Sequence, residues 1–123
     1  MIEFSLESLI RFDDARPAII SVADSGHARI LLLCLRAGQI LKDHRSTSQV
    51  MVFGLRGRAA FFADGVAHEV RPGVCVILEP GHFHRVEASE EAVLLVVMSP
   101  HPSREGYPRD QIDRIIFRGG KSE

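Results

Sequence analysis

Short apolar runs alternate with turn signals along most of the chain. Nine such runs, each five to nine residues long, follow one another between residues 18 and 98. Asp64-Gly65 separates two of them by only two residues, which is a strong hairpin signal. Closely spaced short strands with no helical pattern between them favour an antiparallel sandwich or barrel over alternating β/α units. The predicted strands are 18–22, 28–36, 40–44, 50–55, 58–63, 66–70, 74–78, 83–88 and 92–98.

The two ends of the chain follow other patterns and divide it into three segments. Residues 1–17 form an N-terminal extension, in which one short helical turn is predicted before Pro17 ends it. Residues 18–98 form the all-β domain, and residues 99–123 form a C-terminal arm. Prolines at the start of the arm favour an extended chain, and isoleucines at helical spacing predict a short helix after Pro108. We expect this arm to pack either on its own domain or on a partner subunit.

Composition narrows the class of protein and of partner. The 123 residues suffice for one domain, 46% of them are apolar and 25% charged, and the net charge is −1. This balance favours neither nucleic acid nor an anionic membrane as a partner. The first residues do not resemble a secretory signal and no apolar run could span a bilayer, so we expect a cytoplasmic protein. Cys34 and Cys75 lie in apolar runs and are predicted to be buried, reduced thiols.

Residues 73–86 carry the spacing that identifies the fold. They begin with a glycine, turn at Pro80-Gly81 and reach His84 three residues after the second glycine. This stretch resembles the second conserved motif of the cupin superfamily, although Glu79 stands where that motif usually has its proline. The resemblance extends over the whole predicted β domain. It implies an RmlC-like double-stranded β-helix, the cupin jelly-roll barrel, with short extensions at both ends.

Residues 38–57 resemble the first cupin motif, but the positions that bind metal in that family are changed. The family motif offers His-x-His and then a Glu three or four residues on. Here His44 stands at the first histidine, Ser46 at the second, and Gln49 at or next to the Glu. Residues 44 and 46 point to the same face of a strand. We therefore expect the backbone geometry of a metal site, but with side chains that differ from the metal ligands of the family.

The resemblance implies a divalent metal, such as zinc, nickel, iron or manganese, as a candidate cofactor. The family pattern leaves His44 and His84 as metal ligands, and His82 is a further candidate because it lies two residues from His84. A catalytic metal normally has three protein ligands, so two histidines favour weak capture of a metal over a resident one. The alternative is that both histidines are polar side chains satisfied by backbone carbonyls.

Six residues are predicted to line a ligand pocket. Met51 and Phe53 follow Gln49 at strand spacing and are expected to face inward with it. A pocket of apolar groups with a few polar ones suits a small organic molecule. The alternative is that these side chains fill a narrow barrel as its core. The predicted ligand-binding residues are His44, Ser46, Gln49, Met51, Phe53 and His84.

Three functions remain open from the sequence. The first is a protein that binds a small molecule inside the barrel, with or without a weakly held metal. The second is a metal-dependent enzyme, an isomerase or one with dioxygenase-like activity, which needs a ligand beyond His44 and His84. The third is a structural or regulatory module that acts through dimerisation and has a fully packed interior. A homodimer is expected because small cupins usually pair and because a sheet edge must be covered.

Overall fold

The computed structural model describes residue 1 and residues 3–101, and these contain nine β-strands. All nine predicted strands are confirmed, with bounds that differ by two residues at most. No helix able to cross a membrane occurs within the described part of the chain. The helix predicted after Pro108 lies outside the described residues. The strands are β1 (Ala18–Asp24), β2 (Arg29–Leu35), β3 (Ile40–His44), β4 (Gln49–Arg56), β5 (Ala59–Ala63), β6 (Val66–Val70), β7 (Cys75–Leu78), β8 (His84–Ala88) and β9 (Ala92–Ser99).

The strands form two antiparallel sheets that pack face to face. The five-stranded sheet has the order β1-β2-β9-β4-β7, and the four-stranded sheet has the order β3-β8-β5-β6. This order confirms the predicted all-β jelly roll. Within residues 3–101, no named strand of one sheet pairs with a strand of the other, so the two sheets do not close into a continuous barrel.

The main hydrophobic core lies between the two sheets. Alternate residues of each strand face it, as in Leu31, Leu33 and Leu35 of β2. Phe61 of β5 and Val86 of β8 contribute from the opposite sheet. Burying one such side chain contributes about 1.5–3 kcal/mol, so this cluster is the main source of stability for the sandwich.

A second cluster covers part of the outer face of the five-stranded sheet. Leu6, Leu9 and Phe12 of the N-terminal extension pack there against residues of β1, β2 and β9. The helical turn expected in this extension is a single hydrogen-bonded turn, in which the Leu9 N–H donates to the Leu6 carbonyl at 3.0 Å.

The two cysteines have different environments. Cys34 belongs to the second cluster and is buried as predicted, and this burial raises the pKa of its thiol. The prediction of burial is wrong for Cys75, which is exposed. Cys75 begins β7, the edge strand of the five-stranded sheet, and alternation turns its side chain away from the core that Val76 and Leu78 face.

Candidate functional site

The two predicted key histidines lie side by side on neighbouring strands. His44 ends β3 and His84 begins β8, and their Cα atoms are direct partners in the antiparallel register. Their rings meet edge to face with centroids 4.1 Å apart. On the other side of His84, the ring of Phe61 stacks nearly parallel to it at a centroid distance of 5.3 Å. His84 is therefore fixed between two rings that come from the strands flanking β8.

An irregularity in β3 turns His44 toward the interior. Leu41 pairs with Val86 and His44 pairs with His84, so three steps on β3 match two steps on β8. The extra residue is a β-bulge, which re-aims the side chain that follows it. Leu41 and His44 consequently both face the space between the sheets, although a regular strand would place them on opposite faces.

Backbone carbonyls determine the tautomers of both histidines. The His44 Nδ1 donates to the Lys42 carbonyl at 2.7 Å, and the His84 Nδ1 donates to the His82 carbonyl at 3.2 Å. A carbonyl oxygen only accepts hydrogen bonds, so the proton of each neutral ring is on Nδ1. The Nε2 atoms are then the acceptor nitrogens of both rings.

Burial keeps His84 neutral at physiological pH. Its side chain is 4% exposed. Loss of solvation is the main cause that lowers the pKa of His84 from 6.5 to about 4, and the nearby charge of His44 lowers it further. The hydrogen bond to the His82 carbonyl acts in the opposite direction and is outweighed. His84 is therefore a hydrogen-bond acceptor at Nε2 near pH 7 rather than a cation.

Ser46 joins the histidine pair from the connection between β3 and β4. It is buried, its hydroxyl oxygen accepts the Ser48 N–H at 3.0 Å, and its carbonyl accepts the Gly81 N–H at 2.8 Å. The Pro80-Gly81 turn thus connects the two motif regions directly through the backbone. Because its oxygen is already an acceptor, the Ser46 hydroxyl has its own proton to donate.

A small cavity lies between the sheets next to these side chains. Its volume is about 50 Å³, enough for a few water molecules or a small chemical group. Its polar lining residues are clustered, because His44, Arg45 and Ser46 are consecutive and His84 is the strand partner of His44. The apolar lining residues are Ile19, Leu31, Leu33, Leu41, Val50, Val52, Phe61, Val86, Val96 and Met98.

The predicted inward orientation of three residues on β4 is wrong. Val50 and Val52 are buried and line the cavity, whereas Gln49, Met51 and Phe53 point to the outer face of the sheet. The reason is that the chain crosses from the four-stranded to the five-stranded sheet just before β4, so the side-chain alternation of β4 depends on that crossing. The interior position beside the histidine pair is therefore an apolar valine.

The polar side chains of Gln49 and His82 have partners outside the cavity. The amide of Gln49 donates to the Glu79 carboxylate at 3.2 Å on the outside of the molecule. His82, the additional metal candidate, is exposed, and its Nδ1 lies 3.0 Å from the Asp64 carboxylate. The structure thus brings together His44, Ser46 and His84 but leaves out the side chain of His82.

Arg45 is a site residue that sequence reasoning missed. Alternation along a strand would direct it into solvent, between His44 and Ser46. β3 ends at His44, however, and Arg45 lies at the cavity with its guanidinium carbon 5.1 Å from the ring centroid of Phe83. The sequence does contain one signal for this part of the site. Phe83 comes immediately before His84, at the end of the turn, and its position indicates that an aromatic residue borders the site.

An open recess adjoins the cavity on its outer side. It has a volume of about 520 Å³ and is lined by residues of the β5–β6 hairpin and of the turn before β8. His84 contributes to the lining of both the recess and the cavity.

The residues at the cavity do not fit a resident catalytic metal. Within the described part of the chain, no group of three or more His, Cys, Asp or Glu side chains could hold a metal ion. The cavity offers two imidazoles and one hydroxyl, and Val50 supplies no donor. Catalytic metals normally require three protein ligands, and a neutral serine hydroxyl is a poor one.

Comparison with protein-family models gives a match over most of the β domain. The model described as "Cupin domain" matches residues 31–98, which is more than half of the chain. Because cupins often bind a divalent metal, the match makes the poor donor set at this cavity a specific departure from the common pattern. A search of functionally curated proteins gives no match.

Solved structures agree with the family match. An RmlC-like cupin protein from Desulfovibrio desulfuricans is 26% identical, with 82% of this chain and 98% of that chain covered and a TM-score of 0.76. The TT1209 protein from Thermus thermophilus is 28% identical, with 83% and 100% covered and a TM-score of 0.77. KdgF from Halomonas sp. is 16% identical, with 83% and 98% covered and a TM-score of 0.69, which supports the fold alone.

Proposed function

The chain belongs to the cupin family, and from this premise we propose that it binds a small organic molecule between its two sheets. The bound molecule places a hydrogen-bond donor, such as a hydroxyl or amine, on the histidine pair. The observation that carries this proposal is the buried His84, whose Nδ1 donates to the His82 carbonyl. This bond makes Nε2 of His84 an acceptor at the polar end of a mainly apolar cavity.

The size and lining of the cavity support binding of a small apolar group with one polar end. Ligand sites combine mainly apolar walls with a few placed polar groups. A cavity of about 50 Å³ admits only a few non-hydrogen atoms.

A weakly held divalent metal is the second candidate ligand for the same site. Zinc or nickel would find two imidazole nitrogens at His44 and His84 and would take its other ligands from water or from a bound molecule. Two neutral ligands favour weak capture, so no step of the proposed binding depends on a metal. For the same reason, the metal-dependent enzyme is not the function that this site supports best.

The third function, a purely structural dimerisation module, has less support from the interior. Such a module would have a fully packed interior, whereas here a cavity adjoins buried polar side chains. The expected homodimer is a separate matter and stays a prediction. Exposed apolar side chains on the outer face, Phe53 and Ile77, support it, and sedimentation velocity measures it.

The binding proposal can be tested by NMR titration of the untagged protein at pH 7 with isobutanol and with its methyl ether. We expect saturable shifts of backbone amides around His84 for the alcohol. Binding of the ether should be at least about tenfold weaker, because it cannot donate to the Nε2 atoms, a difference of about 1.4 kcal/mol. The variant His84→Phe preserves the ring but removes the acceptor and should weaken alcohol binding similarly.

Gln49→Ala provides the matched control because Gln49 lies on the outer face of β4, and it should bind isobutanol like the unmodified protein. Equal affinity for the alcohol and the ether would contradict the role of the histidine pair. Absence of saturable shifts with isobutanol and with isobutylamine would contradict the proposal as a whole.

A further inference from the structure

Strand β7 is an edge of the five-stranded sheet that is well suited to pairing with another chain. Within the described part of the chain, β7 pairs with β4 alone, in a regular register. Its four residues, Cys75–Leu78, include no charged residue and no proline. Ile77 at its centre is 59% exposed. A regular apolar edge strand of this kind is a template on which a further strand can form.

The other three edge strands of the described structure carry features that hinder such pairing. β1 has a register shift between Ser21 and Ala23. β3 contains the irregularity before His44 and carries Lys42, and β6 carries Glu69. Bulges and charged side chains are common means by which proteins keep sheet edges from pairing. β7 has neither feature, so it is the edge that this chain leaves suited to a partner.

The backbone of β7 presents donors and acceptors along its outer side. The Gly54 N–H donates to the Val74 carbonyl at 2.9 Å, so the backbone of Val74 is directed toward β4. In an antiparallel ladder, successive residues direct their backbone groups alternately to the two sides. Val76 is therefore also directed toward β4. The N–H and C=O groups of Cys75 and Ile77 consequently point away from β4, along the edge.

A second copy of β7 offers the matching pattern. When two copies run antiparallel about a two-fold axis at Val76, Cys75 of each copy lies opposite Ile77 of the other. These are the two residues whose backbone groups point away from β4, and each such pair exchanges two hydrogen bonds. The edge is therefore complementary to itself. A two-fold axis that relates identical surfaces is the commonest symmetry of homo-oligomers.

The charges on either side of β7 favour the antiparallel arrangement. Arg71 precedes the strand and Glu79 follows it, and both are exposed. Antiparallel pairing brings the Arg71 end of one copy beside the Glu79 end of the other, whereas parallel pairing would bring like charges together. Arg71 also pairs with Glu69 at 3.6 Å. Exposed ion pairs contribute about 1 kcal/mol at most, so these charges favour an orientation rather than supply affinity.

We infer that two copies of this chain pair through β7, so that their five-stranded sheets join into one continuous sheet. The partner is a second copy because the edge is complementary to itself in backbone hydrogen bonding and in the charges at its ends. Pairing also brings further apolar surface beside the exposed side chains of Phe53 and Ile77. The inference is independent of the proposed binding function, because no residue of β7 lines the cavity.

Sedimentation velocity of the untagged protein over a range of concentrations tests this interface. We expect a dimer that dissociates on dilution. Ile77→Lys places a charge on the edge strand and should raise the dissociation constant of the dimer at least about tenfold. Ile40→Lys is the matched control, because it changes an isoleucine that is 45% exposed on β3, an edge of the other sheet, and it should leave the dimer unchanged. Circular dichroism confirms that both variants are folded.

A backbone variant distinguishes strand pairing from packing of the outer sheet faces. Cys75→Pro removes an N–H that points away from β4, and proline is tolerated at the first residue of an edge strand. It should weaken the dimer at least about tenfold, whereas Cys75→Ser keeps the N–H and should not. Hydrogen exchange gives a second readout, because the amides of Cys75 and Ile77 should become protected as the protein concentration rises.

Three outcomes would overturn the inference. A protein that is monomeric at every concentration would show that a second copy is not the partner of this edge. A dimer that both Ile77→Lys and Cys75→Pro leave intact would have its interface elsewhere. A dimer that Ile77→Lys weakens but Cys75→Pro does not, with both amides still exchanging rapidly, would pair through the outer face instead of the edge.

Discussion

The two motif regions of this cupin differ in which features of the family motifs they show. Residues 73–86 retain the turn at Pro80-Gly81 and a buried His84 whose Nδ1 is hydrogen-bonded to the backbone. Residues 38–57 retain the strands and the crossing between the sheets, but there Ser46 and Val50 occupy the interior beside the single histidine. The backbone scaffold of a site and its donor chemistry can thus change independently, which is why fold alone does not define function.

The two regions nevertheless form one structural unit. The Gly81 N–H donates to the Ser46 carbonyl at 2.8 Å, and His44 and His84 are strand partners. The second region therefore still determines where the side chains of the first region lie, even though the metal-binding residue types of the first region are replaced. This coupling explains how the cavity can keep a defined polar end after losing the donors expected of a metal site.

The largest expected effect is a gain in zinc affinity when the missing metal donors of the first motif region are restored. The double variant Ser46→His, Val50→Glu places two new ligands beside His44 and His84. Four donors contribute about 10–16 kcal/mol to structural zinc binding, so adding half of them should raise zinc affinity by at least about 1,000-fold, or about 4 kcal/mol. Isothermal titration of the untagged protein with zinc and nickel measures this gain.

The pair Ser46→His, Gln49→Glu is the matched control for that variant. Gln49 lies on the outer face of β4, so its carboxylate would point away from the histidines and contribute little affinity. Equal zinc affinity in the two double variants would mean that the orientation of β4 differs from the one described.

A smaller effect is expected from a glycine of each motif region. A Cβ at Gly57, where φ is +65°, would lie 1.8 Å from the Glu91 carbonyl oxygen, whereas a Cβ at Gly81, where φ is +89°, meets no atom within 4 Å. Gly81→Ala should cost about 1–2 kcal/mol for the left-handed backbone alone. Gly57→Ala should cost about 3 kcal/mol or more, because backbone must also move.

Urea denaturation of the two variants measures this difference in the free energy of unfolding. Similar losses in both would contradict the close approach of Gly57 to the β8–β9 turn. The comparison thus tests whether the first region, despite its changed donors, is the more tightly constrained of the two.

The strands and the second motif region could be predicted because their signals are local. Apolar alternation and turn residues such as Asp64-Gly65 act over a few positions, and all nine strands follow from them. The Pro80-Gly81 turn is also a local signal, because these two residues reverse the chain by themselves. The reversal directs His84 to the cavity, as predicted. The partnership of His44 and His84 came from the family resemblance rather than from a local signal.

The errors fall where side-chain direction depends on distant contacts. The crossing before β4 decides that Val50 faces inward while Gln49 does not. Exposure of Cys75 similarly reflects the edge position of β7 in the sheet order. Side chains alternate between the two faces of a strand, so an error of one residue in the alternation exchanges the faces. Such an error assigned Met51 and Phe53 to the inner face.

The third and smallest effect concerns the pH dependence of the free energy of unfolding, to which His84 should contribute strongly. The pKa of His84 is about 4 in the folded chain against 6.5 as its ordinary value, so the folded state binds fewer protons between these limits. Stability is therefore complete above pH 6.5 and is lost as the pH falls toward 4. The loss between pH 7 and pH 5 should be about 2 kcal/mol, and urea denaturation at the two values measures it.

Two variants separate the causes of this pH dependence. His84→Phe removes the titrating group and should abolish the His84 share of the loss, whatever its effect on stability at pH 7. His44→Gln removes the charge repulsion on His84, and since burial is the larger cause of the lowered pKa, most of the loss should remain. An unchanged loss in His84→Phe would mean that the buried histidine of the second motif region is not the group that titrates. In that case burial would not be what keeps His84 neutral, and the argument that its Nε2 accepts a hydrogen bond from the ligand would lose its support.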